Sequence, residues 1–346
     1  MKFYTSFFLA GNILNVRGYD GCTQFFEEHT LSPSHYIPTM DKNTGHKSFY
    51  DHDLKKVDFD NVWDARAFRR DNKDISVFGY PNYEYTKISE LYTEEHDSSK
   101  VRVAIVDIET LVGDDQDGNP ENYDAFPNTE DPKHAVSLIT TIFGTEVFVY
   151  GLKYEWDLDI IKQHIVENLP ADNNYKNLTF VFEQYDTDKL LLGSFMKLMK
   201  AKSPDIISGW NSNGFDIPYM CSRIKKLFGD NTHKRLSPFN LVDSRMVNTK
   251  YGQQLEYDIK GIEQLDYLEL YKKFELSPRE NYKLETIAMI ELGAGKLEYE
   301  GSFQNFYKGT YEVTSEEKVT DEFTRLSHKR YLIKKELEKR GITIPQ

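Results

Sequence analysis

Short apolar runs separated by polar turns recur along the chain, and most have the length of β-strands. The run Val103–Thr110 is rich in β-branched residues and predicts a buried strand. Residues 135–143 and Glu146–Leu152 predict two more strands, joined as a hairpin through Gly144-Thr145. Apolar residues at helical spacing predict a helix over Asp188–Lys202. The pattern is therefore that of a mixed α/β chain.

The other elements are predicted from the same kinds of pattern. Strands are expected over residues 1–14, 74–80, 178–182 and 205–210, and helices over residues 60–70, 87–92, 157–169, 219–228 and 282–292. Two further runs, residues 241–250 and 255–262, predict a long hairpin. Polar composition rich in turn-forming residues predicts loops over residues 41–53 and 113–133.

A charged stretch, residues 94–100, divides the chain. The first block, residues 1–100, predicts a small mixed α/β domain without visible chemistry. The second block, residues 101–301, predicts a meander of three strands followed by alternating helices and strands. A doubly wound nucleotide-binding fold fits this block less well, because no glycine-rich phosphate loop follows Val103–Thr110. Residues 302–346 predict a helical tail.

Three carboxylates lie near the ends of elements in the second block. Asp107 and Glu109 stand two apart on one predicted strand, so their side chains point to the same face. Asp216 lies between the end of a strand and a helix whose first turn would contain Pro218. Paired carboxylates in a packed sheet are costly unless they share a cation, and such oxygen ligands suit Mg²⁺ or Mn²⁺ rather than zinc. Each motif alone is more typical of a strand end or a helix cap, whereas the combination favours a metal site.

Composition limits the classes of protein to which the chain can belong. Its 346 residues are enough for two or three domains, and 39% of them are hydrophobic. No apolar run approaches the length needed to cross a bilayer, and the polar interruptions after Lys2 favour a strand over a signal peptide. The two cysteines, Cys22 and Cys221, cannot form a disulfide framework and are typical of a reducing cytoplasm.

The net charge of −13 argues against a protein that binds DNA by overall charge, but it does not exclude a nuclease. A local basic surface could be supplied by four residues that follow Asp216 in sequence: Lys225, Lys226, Lys234 and Arg235. These residues could equally form the solvated side of a helix. The 23 tyrosines and 22 phenylalanines include candidates for stacking on unpaired bases, although most are expected in the core.

The chain resembles the family B DNA polymerases, most closely those of T-even-like bacteriophages. Asp107-Ile108-Glu109 resembles the first exonuclease motif of that family, and Asn211 together with Phe215-Asp216 resembles the second. The resemblance runs from Met1 to about Lys308 and is specific from residue 101 onward. Further matching stretches are residues 209–211, 215–219, 234–238, 265–267, 270–274 and 295–301.

The resemblance implies a fold and a function. It implies that residues 101–301 form a ribonuclease-H-like 3′–5′ exonuclease domain, preceded by a smaller N-terminal domain, residues 1–100, that lies near the template strand. It also implies that the chain is the N-terminal part of a replicative DNA-directed DNA polymerase, carrying the metal-dependent proofreading module. The palm, fingers and thumb are not expected within these residues. They could belong to a separate chain, or the sequence could be part of a longer polymerase, and a viral protein of this kind would act in the cytoplasm of a host cell.

The resemblance also assigns roles to individual residues. Two ions, Mg²⁺ or Mn²⁺, would be held by Asp107, Glu109 and Asp216, which are therefore the expected catalytic residues. Asn211 and Phe215 would shape the pocket for the 3′-terminal nucleotide. Contacts to the DNA primer-template are expected from Lys225, Lys226, Lys234, Arg235 and Tyr251. Tyr251 lies in the predicted hairpin, which could part primer from template or be an ordinary surface hairpin.

The chain departs from the family pattern after residue 301. The third exonuclease motif, Tyr-x-x-x-Asp, is missing there, and Asp321 is the only aspartate in that part of the sequence. In the family, the aspartate of this motif is a fourth metal ligand. Its absence here predicts that the isolated chain hydrolyses DNA slowly or not at all. The alternatives are a non-catalytic DNA-binding or assembly subunit with a vestigial exonuclease site, and a free-standing nuclease. A capping box at residues 314–317 and heptad spacing predict a tail helix, packed on its own domain or docked on the polymerase chain.

Overall fold

The computed structural model describes residues 1–42, 44–111, 127–153, 177–249, 252–293 and 295, together with residues 159, 162, 163 and 167. These residues form a mixed α/β structure with a three-stranded sheet, a six-stranded sheet and two separate two-stranded hairpins. Among the described residues, no helix is long and apolar enough to cross a membrane.

The first block is built on an antiparallel sheet of β1 (Lys2–Ala10), β2 (Ile13–Asp20) and β3 (Thr23–Thr30). One face of this sheet packs on two helices, α1 (Val62–Asp71) and α2 (Tyr83–Leu91). The apolar cluster between them comprises Leu14, Val16, Leu31, Val62, Ala65, Tyr83, Ile88 and Tyr92. A separate hairpin joins β4 (Ser34–Pro38) to β5 (Leu54–Asp58).

Two strand predictions in the first block are wrong. Residues 1–14 form not one strand but the beginning of a hairpin, because Gly11 takes a left-handed φ of 63° and reverses the chain. Residues 74–80 form only one isolated bridge, between Phe78 and Tyr36. Gly79 follows this bridge with φ 117°, a conformation that ends strand pairing.

The second block contains the six-stranded sheet, whose strand order is β13-β10-β6-β7-β8-β9. Its strands are β6 (Val103–Thr110), β7 (Val136–Phe143), β8 (Glu146–Leu152), β9 (Thr179–Tyr185), β10 (Ile206–Gly209) and β13 (Glu263–Asp266). β6, β7 and β8 form the predicted antiparallel meander, and β9 joins β8 in parallel. On the other side, β10 runs parallel to β6 and β13 runs parallel to β10.

Two helices cover one face of this sheet, α3 (Asp188–Lys202) and α4 (Asp216–Phe228). They pack on Ala104, Val106 and Ile108 of β6 in the larger apolar core. The other face of β6 is not buried, since Val103 and Ile105 are 39% and 48% exposed. The prediction of a strand is confirmed, but the prediction that it is buried holds for one face only.

The remaining described elements follow in order. The predicted hairpin is present as β11 (Val242–Thr249) and β12 (Gly252–Ile259), paired in antiparallel register. After β13 come α5 (Tyr267–Phe274) and α6 (Leu284–Leu292), the latter ending at Gly293 as predicted. Tyr251, the third-motif region and the tail helix lie outside the described residues, as do most of the helix predicted over residues 157–169 and residues 113–126 of the predicted loop.

A buried ion pair joins the two blocks. Arg17 on β2 and Asp205, directly before β10, approach to 3.3 Å with both side chains fully buried. The Arg17 guanidinium also donates to the carbonyl oxygens of Ser203, Pro204 and Gly261. The Asp205 carboxylate accepts from Thr5 Oγ1, Tyr19 Oη and the Arg102 amide. Because each charge meets several partners, the pair fixes the first sheet against the start of β10.

Candidate active site

Strand β6 presents two carboxylates on its open face. Asp107 and Glu109 alternate with the buried residues Val106 and Ile108, so both side chains point away from the helices. β6 pairs with β7 along almost its full length, but with β10 only from Val103 to Ile105. Beyond Ile105 one side of the strand therefore has no β10 partner.

Asp216 lies beside this unpaired part of β6. It is the first residue of α4, it is only 5% exposed, and its Oδ1 accepts from the Ile108 amide at 3.1 Å. Ile108 stands between Asp107 and Glu109, so this bond brings the second predicted motif to the first. The sequence predicts that these carboxylates converge from distant points in the chain, and the structure brings Asp216 to β6 in this way.

The pKa of Asp216 is raised to about 7. The largest cause is burial, which penalises the charged form, and the second is repulsion from the Asp107 carboxylate. The amide of Ile108 opposes both effects, because it favours the ionised carboxylate. A buried carboxylate held beside a second one is an electrostatic arrangement that a cation would stabilise.

The structure adds a fourth acid, Asp266, which the sequence motifs do not predict as a site residue. It ends β13, is 3% exposed, and adds to the negative potential that raises the pKa of Asp216. Its carboxylate accepts from the amides of Asn211 and Asn213 at 3.0 Å and from the Leu268 amide at 2.9 Å. An aspartate between a short strand and a helix is an N-cap signal, which could have identified it.

Two glycines allow close approaches where the chain leaves β10: Gly209, the last residue of that strand, lies against β6, and Gly214 in the following loop lies against Asn211. A Cβ on Gly209 would lie 2.5 Å from the carbonyl oxygen of Val106, and one on Gly214 would lie 2.6 Å from Asn211 Oδ1. Asn211 itself adopts a left-handed φ of 61°. The glycines therefore allow the turn that returns the chain to β6 at Asp216.

The predicted nucleotide-pocket residues flank Asp216. Asn211 is exposed, and its carbonyl oxygen accepts from the amides of Gly214 and Phe215. Phe215 immediately precedes α4, is half-buried, and its ring centroid lies 5.4 Å from that of Tyr219. Phe215 thus directly precedes Asp216, Asn211 lies in the loop before it, and contact of either residue with a nucleotide stays a prediction.

The predicted basic residues lie at the opposite end of α4. Lys225 and Lys226 are in its last turn, about 14–15 Å along the helix from Asp216. Lys226 pairs with Asp131 at 3.0 Å. Lys234 and Arg235 follow in a 3₁₀-helix, Thr232–Leu236. The structure does not bring these residues to the acids. They follow Asp216 closely in sequence, but the length of α4 separates them from it in space.

The chemistry of the three candidate carboxylates suits a divalent metal ion, but their placement is open. Asp107, Glu109 and Asp216 supply only carboxylate oxygens, which fits Mg²⁺ or Mn²⁺. Within the described residues, however, no three His, Cys, Asp or Glu side chains are close enough together to hold a metal ion. The ligands fit in type and share one strand end, but as placed they do not form a closed site.

Comparisons of the sequence with a family model and with individual proteins agree on one family. Residues 59–287 match the family model described as DNA polymerase family B, exonuclease domain. The chain is 30% identical to the DNA-directed DNA polymerase of Escherichia phage RB69 over 270 residues, which cover 73% of this chain and 28% of that polymerase. It is 29% identical to the DNA-directed DNA polymerase of Enterobacteria phage T4 over 328 residues, which cover 87% of this chain and 34% of that polymerase.

A shorter similarity extends to a eukaryotic virus. The chain is 29% identical over 138 residues to the DNA polymerase catalytic subunit of Human herpesvirus 7, which covers 38% of this chain and 13% of that subunit. The chain spans about a third of the length of the two phage polymerases that it matches.

Proposed function

Since this chain belongs to the family B DNA polymerases and carries their exonuclease domain, we propose that it removes nucleotides from the 3′ end of DNA as a proofreading module. The observation that carries the proposal is the hydrogen bond from the Ile108 amide to Asp216, which joins the two acidic motifs at one strand end. The expected substrate is a single-stranded 3′ end or a frayed primer-template.

We further propose that the second block has a ribonuclease-H-like fold. Its strand order supports this assignment, because the meander β6-β7-β8 is followed by β10 and β13, which add in parallel on the open side of β6. β9 is then an additional strand beyond β8. In this arrangement the candidate acids lie at the central strand, β6.

The proposed reaction is metal-assisted hydrolysis of a phosphodiester. When bound, two divalent cations, Mg²⁺ or Mn²⁺, supply an activated water and stabilise the leaving 3′-oxygen. Asp107 and Glu109 offer ligand oxygens from one face of β6, and Asp216 offers a buried one from the side. Asn211 and Phe215 would position the terminal nucleotide beside them.

A second function is a DNA-binding or assembly subunit whose exonuclease site is vestigial. One observation favours it: among the described residues, the acids do not form a closed metal site. Its partner would be a separate chain carrying the polymerase palm, fingers and thumb, in a host-cell cytoplasm.

The two functions are separated by a nuclease assay on the full chain. A single-stranded oligonucleotide labelled at its 5′ end is incubated with Mg²⁺ or Mn²⁺, and products are resolved by length. We expect slow shortening from the 3′ end, abolished in Asp107→Asn and in Asp216→Asn because each variant removes a ligand charge. Glu28→Gln, which alters an exposed strand carboxylate in the first block, should retain activity.

Each outcome of this assay supports one of the two functions and contradicts the other. Equal shortening by wild type and Asp107→Asn would refute the proposed site. Tight DNA binding without hydrolysis in either metal would favour the vestigial site.

A further inference from the structure

A large groove runs beside α3, away from the candidate acids. Its volume is about 1130 Å³, and its wall is formed by α3, the 3₁₀-helix Thr232–Leu236, the end of α4 and Phe26 of β3. Phe228, the last residue of α4, lies in this wall, whereas Asp216 begins that helix about 18 Å away. This feature, the α3 groove, is therefore separate from the candidate active site.

The α3 groove is cationic in a chain whose net charge is −13. Lys189, Lys197 and Lys200 line it from one side of α3, are exposed, and span about 16–17 Å along the helix axis. Within the part of the chain that the structure describes, these three lysines form no ion pair. Arg17 and Arg235 also line the groove, and no described aspartate or glutamate does. Walls that carry one sign of charge attract the opposite sign, so the groove attracts anions.

Apolar side chains line the α3 groove between these cations. Met196, Met199 and Ile262 are almost fully buried and form part of its wall, and Leu190 of α3 is 54% exposed there. Gly193 lies between the lysines on the same side of α3, and its missing side chain leaves the groove open at that point. Flexible methionines are common where proteins bind peptide segments. The groove therefore combines an apolar lining with exposed positive charge.

A buried donor in the wall points to a ligand independently. The side chain of Arg17 is fully buried, and its two terminal nitrogens are used by carbonyl oxygens and by Asp205. Its Nε–H has no hydrogen-bond partner among the described residues. A buried unsatisfied donor is costly, and a carboxylate or carbonyl oxygen of a ligand would remove that cost.

The aromatic rings in the wall are engaged by other groups of the protein. The guanidinium carbon of Arg17 lies 5.7 Å from the centroid of the Phe26 ring, and Lys189 Nζ lies 5.2 Å from that of the Phe228 ring. Phe26 also makes an edge contact with Phe239, with ring centroids 5.4 Å apart. The bases of a nucleic acid bind by stacking on free ring faces. The groove therefore offers charge and apolar volume, and little of a stacking platform.

We propose that the α3 groove docks an acidic, amphipathic helical segment of a partner protein. Its volume exceeds the upper end of the range usual for small-ligand sites, about 1000 Å³, so it accommodates several side chains. Apolar side chains of the segment fill the lining, and carboxylates on its flanks meet Lys189, Lys197 and Lys200, which extend over about three helical turns. The proposal concerns docking alone and holds whether or not the acids on β6 hydrolyse DNA.

The probe is a display library of random peptides, about 16 residues long, selected on the full chain. We expect enriched peptides to contain several aspartates or glutamates together with apolar residues at helical spacing. The affinity of each enriched peptide for the full chain is then measured by fluorescence anisotropy. Lys197→Glu/Lys200→Glu should weaken binding at least tenfold at low salt, and the difference from wild type should shrink as salt screens the charges.

Two further variants separate the contribution of the groove from that of charge. Gly193→Leu fills the groove without changing its charge and should weaken binding at least tenfold at every salt concentration. A Cβ at Gly193 would lie 3.6 Å from the Phe228 ring, an ordinary contact, so this variant should fold. Lys55→Glu/Lys73→Glu makes the same change of charge on exposed lysines of the first block and should bind within a factor of two of wild type. Thermal unfolding of each variant checks that it is folded.

The proposal is overturned if no enriched peptide is both acidic and sensitive to Lys197→Glu/Lys200→Glu. It is also overturned if the acidic peptides bind Gly193→Leu with wild-type affinity, because exposed charge alone would then attract them. Displacement of the peptide by oligothymidylate in EDTA at equal charge concentration would assign the groove to nucleic acid and would likewise contradict the proposal.

Discussion

At the scale of single residues, the carboxylate of Asp216 takes the place of a strand partner. β10 leaves β6 after Ile105, and the amide of Ile108 would otherwise lack a backbone acceptor on that side. Asp216 satisfies this amide and is held next to Asp107 by the same bond. The position of Asp216, a candidate metal ligand, is thus set by the hydrogen bond that it accepts from β6.

Tyr219 gives a prediction at the residue scale. Its hydroxyl is fully buried and donates to the carbonyl oxygen of His134 at 2.7 Å, and burial raises its pKa to about 12. Because the unfolded phenol ionises near pH 10, the stabilisation by Tyr219 is complete below pH 10 and is lost as the pH rises towards 12. Tyr219→Phe should therefore unfold more easily at pH 8, by about 1 kcal/mol, with the difference shrinking above pH 10.

Urea unfolding at pH 8, 10 and 11 checks this prediction. Tyr80→Phe, at an exposed tyrosine, should match wild type at each pH. A difference between Tyr219→Phe and wild type that stays constant up to pH 11 would contradict it.

At the scale of elements, the loop between β10 and α4 is held by Asp266 from the neighbouring strand. That carboxylate accepts from two amides of the loop and also caps α5. It is a positioning residue, since it acts on Asn211 and the start of α4 through the backbone. The candidate site therefore depends on three parallel strands ending at one edge of the sheet.

Replacing Asp266 tests this positioning role. Asp266→Ala removes both carboxylate oxygens and with them all three hydrogen bonds, so hydrogen exchange at the amides of Asn211 and Asn213 should accelerate at least tenfold. Asp266→Asn keeps one acceptor oxygen and should give an intermediate rate. Any 3′–5′ hydrolysis should fall in the same order, because Asp216 follows directly after this loop.

Asp258→Asn, an exposed carboxylate on β12, is the matched control and should leave both measurements unchanged. Wild-type exchange at both loop amides in Asp266→Ala would show that the carboxylate does not hold the loop.

At the scale of the whole molecule, the position of the first block against the second depends on Arg17 and Asp205. Both charges are fully buried, and removing one partner leaves the other unpaired in the interior. Arg17→Met should therefore lower the free energy of unfolding by about 3–5 kcal/mol, measured by urea denaturation. Lys47→Met breaks an exposed pair with Asp51 and should cost less than about 1 kcal/mol.

If Arg17→Met abolishes folding, Arg17→Lys keeps the charge but loses the forked geometry and should be destabilised to a lesser degree. Equal stability of wild type and Arg17→Met would show that other contacts hold the blocks together.

Much of the second block could be predicted from its sequence, because its elements carry strong local signals. The bounds of α3 agree with the prediction, since Thr187 caps a run with helical periodicity and Ser203 ends it in a left-handed conformation. The β7–β8 hairpin is likewise local, with Gly144 at φ 58° in its turn. In the first block, the sequence does not predict β2 and β3 as separate strands. Their polar residues interrupt the alternation of apolar and polar positions that indicates a strand.

Local sequence is enough to predict the carboxylate oxygens of the candidate site, the placement of Asp107 and Glu109 on one strand face, and the strand–loop–helix context of Asp216. These properties follow from neighbours a few residues apart, whose geometry is set by the backbone. Three features depend on long-range packing: Asp266 holds the loop, the basic residues lie at or beyond the far end of α4, and Arg17 reaches Asp205. Those contacts form between strands and helices that are far apart in sequence. The pattern of neighbouring residues does not specify which distant elements pack together.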